Sequence, residues 1–127
     1  MNDIAQVQLA AHRLVDAFSR NNASAYFASF TEDATFVFYN QEQPLLSLHA
    51  WFTQWTDWQK AGFSIVECIS SRAHVQIDGD MAVFFHDVDT LVQRNGQQSR
   101  LAERETIIFR RTQQGWLACH EHLSARL

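Results

Sequence analysis

The sequence predicts an α+β fold in which N-terminal helices close one side of a strongly curved, mostly antiparallel sheet, leaving a cone with an internal pocket. Three observations predict it. Apolar residues recur at three- and four-residue steps early in the chain, the period changes to two after Gly62, and Asp78-Gly79 and Asn95-Gly96 punctuate the second half as hairpin signals.

Ile4, Val7, Ala11, Leu14, Val15 and Phe18 form the stripe of an amphipathic first helix, which Asn21-Asn22 ends. Asn22 is a suitable cap for a short second helix carrying Tyr26, Phe27 and Phe30, and Thr31-Glu32-Asp33 reads as a turn. Ala34–Tyr39 is β-branched and aromatic, hence a strand. After Pro44, Ser47 can cap a third helix with Leu48, Trp51, Phe52, Trp55 and Trp58, stopped at Gly62. Four strands follow: Ser64–Ile77, Met81–Val92, Ser99–Arg111 and Trp116–Leu123. Strands this long must twist and curl, and the helices can bury their stripes only against the concave side.

The 127 residues suit one domain over 1–127, with one Pro, four Gly and no linker or repeat to divide it. Hydrophobic residues at 46%, including ten Phe and four Trp, suffice for a packed core. A net charge of −4 without a basic block argues against a nucleic-acid groove. No run approaches the ~18 apolar residues of a membrane span, and no leader is visible at Met1-Asn2-Asp3. Cys68 and Cys119 read as small buried hydrophobes, so the expectation is a soluble cytoplasmic protein.

Three stretches carry a family resemblance: NNASAYFASFTEDAT (Asn21–Thr35), RETIIFRR (Arg104–Arg111) and WLACHEHLS (Trp116–Ser124). With the element order they resemble the nuclear-transport-factor-2-like superfamily, particularly its SnoaL-like bacterial branch. The last stretch also resembles the end of the calcium/calmodulin-dependent kinase II association domain. The resemblance implies a cystatin-like cone, a pocket and a two-fold dimer through the sheet, but no single activity, because the superfamily hosts many. Laying its steroid-isomerase pattern over this chain puts Leu14, Phe38 and Ile107 where a tyrosine and two acids are needed. That mechanism is not expected.

His120 and His122, two apart on a strand, share a face opposite Cys119 and Glu121. The resemblance turns the histidine face toward the pocket. There His120 would be an acid/base catalyst, both histidines could simply hydrogen-bond inside the cone, or the pair could hold a metal if His86 or Glu105 joined as third ligand. The metal reading is the weakest, and neither a metal nor a cofactor is assigned. The resemblance also brings Arg104 and Thr106 inward, where Arg104 would orient an anion. A one-residue slip would instead turn Glu105 and Ile107 inward and Arg104 outward; the first arrangement is preferred. Tyr39 and Trp55 are expected at the cavity mouth, and His86 interrupts an apolar run as a candidate pocket group. Apolar residues fall on both faces of the sheet, so a homodimer through its outer face is expected.

The function expected is therefore a pocket for a small, partly apolar ligand bearing an anionic or carbonyl group. Lyase, isomerase or hydrolase chemistry could accompany it. The alternative is a non-catalytic homo-oligomeric assembly or binding module.

Overall fold

The computed structural model describes residues 2–127. In chain order the elements are α1 (Asp3–Ser19), α2 (Ala23–Phe27), β1 (Phe30–Phe38), α3 (Leu48–Lys60), β2 (Phe63–Asp78), β3 (Met81–Arg94), β4 (Gln97–Thr112) and β5 (Gly115–Ala125). The predicted caps are in place: the side chains of Asn22 and Ser47 accept hydrogen bonds from the backbone N–H groups of Ala25 and Ala50. Each satisfies one of the donors that a helix start leaves unpaired.

One sheet runs in the order β1-β5-β4-β3-β2. β1 lies parallel to β5, and every other neighbour pair is antiparallel. Phe30 and the presumed turn Thr31-Glu32-Asp33 belong to β1. Phe30 pairs with Ala118, and a register shift before Thr35 absorbs the residues between. The hairpins also refine the expectation. Asn95 and Gly96 both take positive φ, as a type I′ turn requires. The β2–β3 turn instead centres on Gly79-Asp80, between paired Asp78 and Met81, with only Gly79 at positive φ.

Two register shifts in the β2–β3 ladder, one with Arg72 at positive φ, bend the long outer strands around α1. Val7, Ala11, Leu14 and Ala17 of α1 then bury against the concave face, together with Trp51 and Trp55 of α3. On β3 and β4 that face presents Ala82, Phe84, Ile107 and Phe109, all at most 4% exposed. Alternation therefore places the even positions of β3 and the odd positions of β4 inside.

A further irregularity lies between β4 and β5. Phe109 pairs with Ala118 but Ile108 pairs with His120, so Cys119 is an extra residue. Before it, buried Trp116 and Ala118 face inward; after it, Glu121 and Leu123 do. Arg104, Thr106, His120 and His122 do share one face, as expected, but it is the convex one. The reason is the apolar pair Ile107 and Phe109, whose burial under the helices forces their even-numbered neighbours outward.

A carboxyl cluster inside an aromatic cavity

Between α1, α3 and the sheet lies a cavity of about 100 Å³. Phe18, Trp51, Trp55, Trp58 and Phe63 line it, with Tyr26, Cys68 and Thr90 and the carboxyl groups of Glu103, Glu105 and Glu121. The rings interlock, Trp51 standing edge-on to both Trp55 and Trp58 with centroids 5.9 and 5.4 Å away. Among the described residues Asn40 is the only exposed one in the wall, so the cavity opens toward the loop that follows β1.

The polar groups form one chain of contacts across the floor. The Trp51 indole Nε1–H donates to the Tyr26 hydroxyl at 3.1 Å, and Tyr26 donates toward Glu121, 3.4 Å from either carboxylate oxygen. Glu105 lines the cavity beside Glu121, near enough for its charge to act on the Glu121 carboxyl. Glu105 Oε1 lies 2.8 Å from His86 Nε2, and His86 Nδ1 lies 2.6 Å from Ser70 Oγ on an exposed residue. A buried imidazole thus has both ring nitrogens satisfied, one by a cavity carboxyl and one by a hydroxyl at the surface. Glu103 stands apart: its Oε2 accepts a 2.6 Å hydrogen bond from the Tyr39 hydroxyl at the Asn40 end of the cavity.

Burial governs the protonation of these groups. Glu121 is 2% exposed, and loss of water, followed by the negative charge of Glu105, holds its carboxyl well above the usual carboxylate range. Burial also raises Glu103, opposed by the Tyr39 hydrogen bond and assisted by the charge of Glu105. Burial and then the neighbouring charge of Glu121 push the Tyr26 phenol up. Tyr39 rises to about 12, through burial and then Glu103. The Cys68 thiol rises to about 11, again mainly by burial, which makes it a poor nucleophile.

The expected site residues separate into three groups. Trp55 lines the cavity; Tyr39 reaches it through Glu103, and His86 supports it from behind Glu105. Arg104, Thr106, His120 and His122 are outside. Arg104 Nε binds Asp87 Oδ1 at 2.8 Å with its side chain 56% exposed, and His120 Nδ1 lies 2.8 Å from Thr35 Oγ1. Burial, then the adjacent His122, lowers the His120 pKa. An anion pocket built from Arg104 and His120 is thus corrected, because the two side chains do not meet in the cavity. The third ligand of the metal reading fails likewise, with His86 and Glu105 on the opposite face from the histidine pair. Among the described residues no three metal-ligating side chains converge.

Glu103 and Glu121 were not singled out by the sequence, and Glu105 entered only through the alternative register. Their signal was the alternation Leu101, Glu103, Glu105, Ile107, Phe109, in which two acids continue a face that becomes apolar. Glu121 carried no such signal, because the Cys119 bulge sets its direction.

Solved structures share the whole architecture. A Streptomyces avermitilis protein provisionally described as a dehydratase of the nuclear-transport-factor-2-like family is similar at 20% identity and a TM-score of 0.86, covering 98% of this chain and 96% of that one. A Novosphingobium aromaticivorans protein provisionally described as an aromatic ring hydroxylase matches at 19% identity and a TM-score of 0.87, over 98% and 90% of the two chains. A provisional calcium/calmodulin-dependent kinase II association domain from Exiguobacterium sibiricum matches at 13% and 0.83, over 100% and 95%. At these identities the likeness establishes the cystatin-like α+β fold. No curated protein matches the chain in sequence. The SnoaL-like domain model matches residues 7–127, nearly the whole chain, and the protein belongs to the SnoaL-like domain family.

Proposed function

We propose that the cavity binds a small, partly apolar, carbonyl-bearing molecule and moves a proton on it, with Glu105 as base and Glu121 as acid. The observation that carries this reading is the pair of neighbouring carboxyls, Glu105 and Glu121, lining one cavity inside an aromatic wall. Two carboxyls in unequal environments divide acid and base work between them. Glu121, deeply buried and beside a negative charge, keeps its proton and can donate a hydrogen bond to a carbonyl oxygen. Glu105, oriented by His86, is the carboxylate that can accept a proton from the carbon next to that carbonyl. Residues Leu14, Phe38 and Ile107 supply only walls and core, so the acids sit elsewhere than in the steroid-isomerase pattern.

Exchange of the α-protons of cyclopentanone in D₂O, followed by proton NMR, tests the reading. Exchange above the buffer rate is expected for the native chain, with a drop of about 100-fold in both Glu105→Gln and Glu121→Gln. Exchange at the buffer rate, or exchange that survives both substitutions, would overturn it.

A second reading concerns assembly and rests on the convex face, where Val37, Val83, Phe85 and Ile108 are only partly buried. In it two copies pack through this face, bringing Thr106, His120 and His122 into the interface. Both cysteines are free, which suits the reducing cytoplasm proposed as its location. No helix is long and apolar enough to cross a membrane.

A further inference from the structure

Glu103 takes no part in the proton chemistry proposed above, yet it is 5% exposed and lines the cavity. Its carboxylate accepts a side-chain hydrogen bond from a neutral phenol; the Arg126 guanidinium reaches only its backbone carbonyl, at 2.9 Å, and no ion pair joins the carboxylate to a cation among the described residues. The whole cavity wall is acidic or neutral: it contains three glutamates and, among the described residues, no Lys, Arg or His. A buried carboxylate without a counter-ion is costly, and a cation brought by the ligand offsets that cost. The remaining walls point the same way. Trp51, Trp55, Trp58, Phe63 and Tyr26 offer ring faces and edges around a single small space, and ring faces attract organic cations. The space of about 100 Å³ is smaller than the ~150 Å³ apolar cavity that takes a benzene ring, so the buried group is compact.

Resting on the acid/base reading and naming its substrate class, we propose that the ligand carries a protonated or quaternary amine, seated between Glu103 and the tryptophan rings. Glu103 and Glu105 are two residues apart on one face of β4, which separates them by about 7 Å. A molecule with its ammonium at Glu103 therefore presents a carbonyl a few bonds away to the Glu105–Glu121 pair. Anionic ligands are repelled by the Glu103 and Glu105 carboxylates.

Three probes of one shape separate the possibilities: tert-butylammonium, tert-butanol and pivalate, each titrated at neutral pH and followed by tryptophan fluorescence and calorimetry. The ammonium is expected to bind about tenfold more tightly than the alcohol, with pivalate weakest. Glu103→Gln keeps an acceptor for Tyr39 and should erase that preference while leaving the alcohol's affinity within about twofold; Tyr39→Phe, which retains the carboxylate, should preserve it. Equal or tighter binding of the alcohol or pivalate overturns the amine assignment, as does a preference that survives Glu103→Gln. Either result leaves the cyclopentanone exchange test standing, whereas loss of exchange with the ammonium preference intact removes the acid/base reading alone. Failure of all three probes to bind removes the amine assignment together with the pocket.

Discussion

Glu121 shows how one side chain ties stability to the proposed chemistry. Tyr26 faces it from α2 and Glu105 from β4, while Trp51 of α3 holds the Tyr26 hydroxyl. Its proton is retained to higher pH in the folded chain than in the unfolded one, where a glutamate titrates near about 4.3. The folded state thus binds more protons above that pH, so the contribution of Glu121 is fully present below it and is lost as pH rises through the raised folded value. Glu103 acts with the same sign. Glu121→Gln is therefore expected to raise the melting temperature at neutral pH by roughly 4 °C for each ~1 kcal/mol recovered, and to flatten its decline between mildly acidic and alkaline pH. Thermal unfolding across that range checks this; an unchanged slope would show that another group titrates.

At the scale of elements, Asn21 fastens the end of α1 to the sheet. It takes φ 55, a conformation Asn tolerates better than most residues. Its amide donates to the Ile65 carbonyl at 2.8 Å and its oxygen accepts from the Ile65 N–H at 2.8 Å and from Gln59 at 3.2 Å. One side chain thereby sets the spacing of α1, α3 and β2 around the cavity. Asn21→Gly preserves the backbone and loses the bridge, at an expected cost of about 2 kcal/mol, whereas Asn21→Ala adds strain and should cost about 1 kcal/mol more. Denaturant unfolding of the two variants measures the difference. The Cys119 bulge is the second such device, since it absorbs the extra residue and so keeps Glu121 inside. Deleting Cys119 removes the extra residue, makes Ala118 and His120 consecutive and therefore opposite-facing, and keeps Glu121 inside on an unbulged strand; a loss of no more than about 2 kcal/mol is expected on denaturant unfolding.

For the whole molecule, the two faces of the sheet carry different chemistry. The concave face holds the carboxyl cluster under the helices. Across the convex face the register aligns Phe85, Thr106, His122 and Val37 in one row and Val83, Ile108, His120 and Thr35 in the next. Phe85, 37% exposed, stacks near His74 with ring centroids 5.2 Å apart, and the Arg104–Asp87 and Arg126–Asp89 pairs border the rows. An apolar centre with a charged rim is the pattern of a protein interface. Phe85→Lys should convert a dimer to a monomer in analytical ultracentrifugation at micromolar concentration and leave the cavity's probe binding within about twofold. A native chain sedimenting as a monomer would remove the assembly reading.

Helix stripes, caps, the change of period at Gly62 and the Asn95-Gly96 turn were legible in the residues because each is a local preference, decided within a few positions. The pairing of His120 with Thr106 and of His122 with Arg104, expected from a bulge at the glycine of the last hairpin, was not: His122 pairs with Thr106 and Arg104 with Ser124, because the extra residue is Cys119. Which face of the sheet turned inward was not local. It was decided by the burial of Ile107, Phe109, Phe84 and Leu14 between helix and sheet, and by one extra residue at Cys119 that reverses the alternation of β5. That tertiary choice put three glutamates in the cavity and the arginine and histidine pair outside. It thereby exchanged a pocket expected to receive an anion for one whose charge favours a cation.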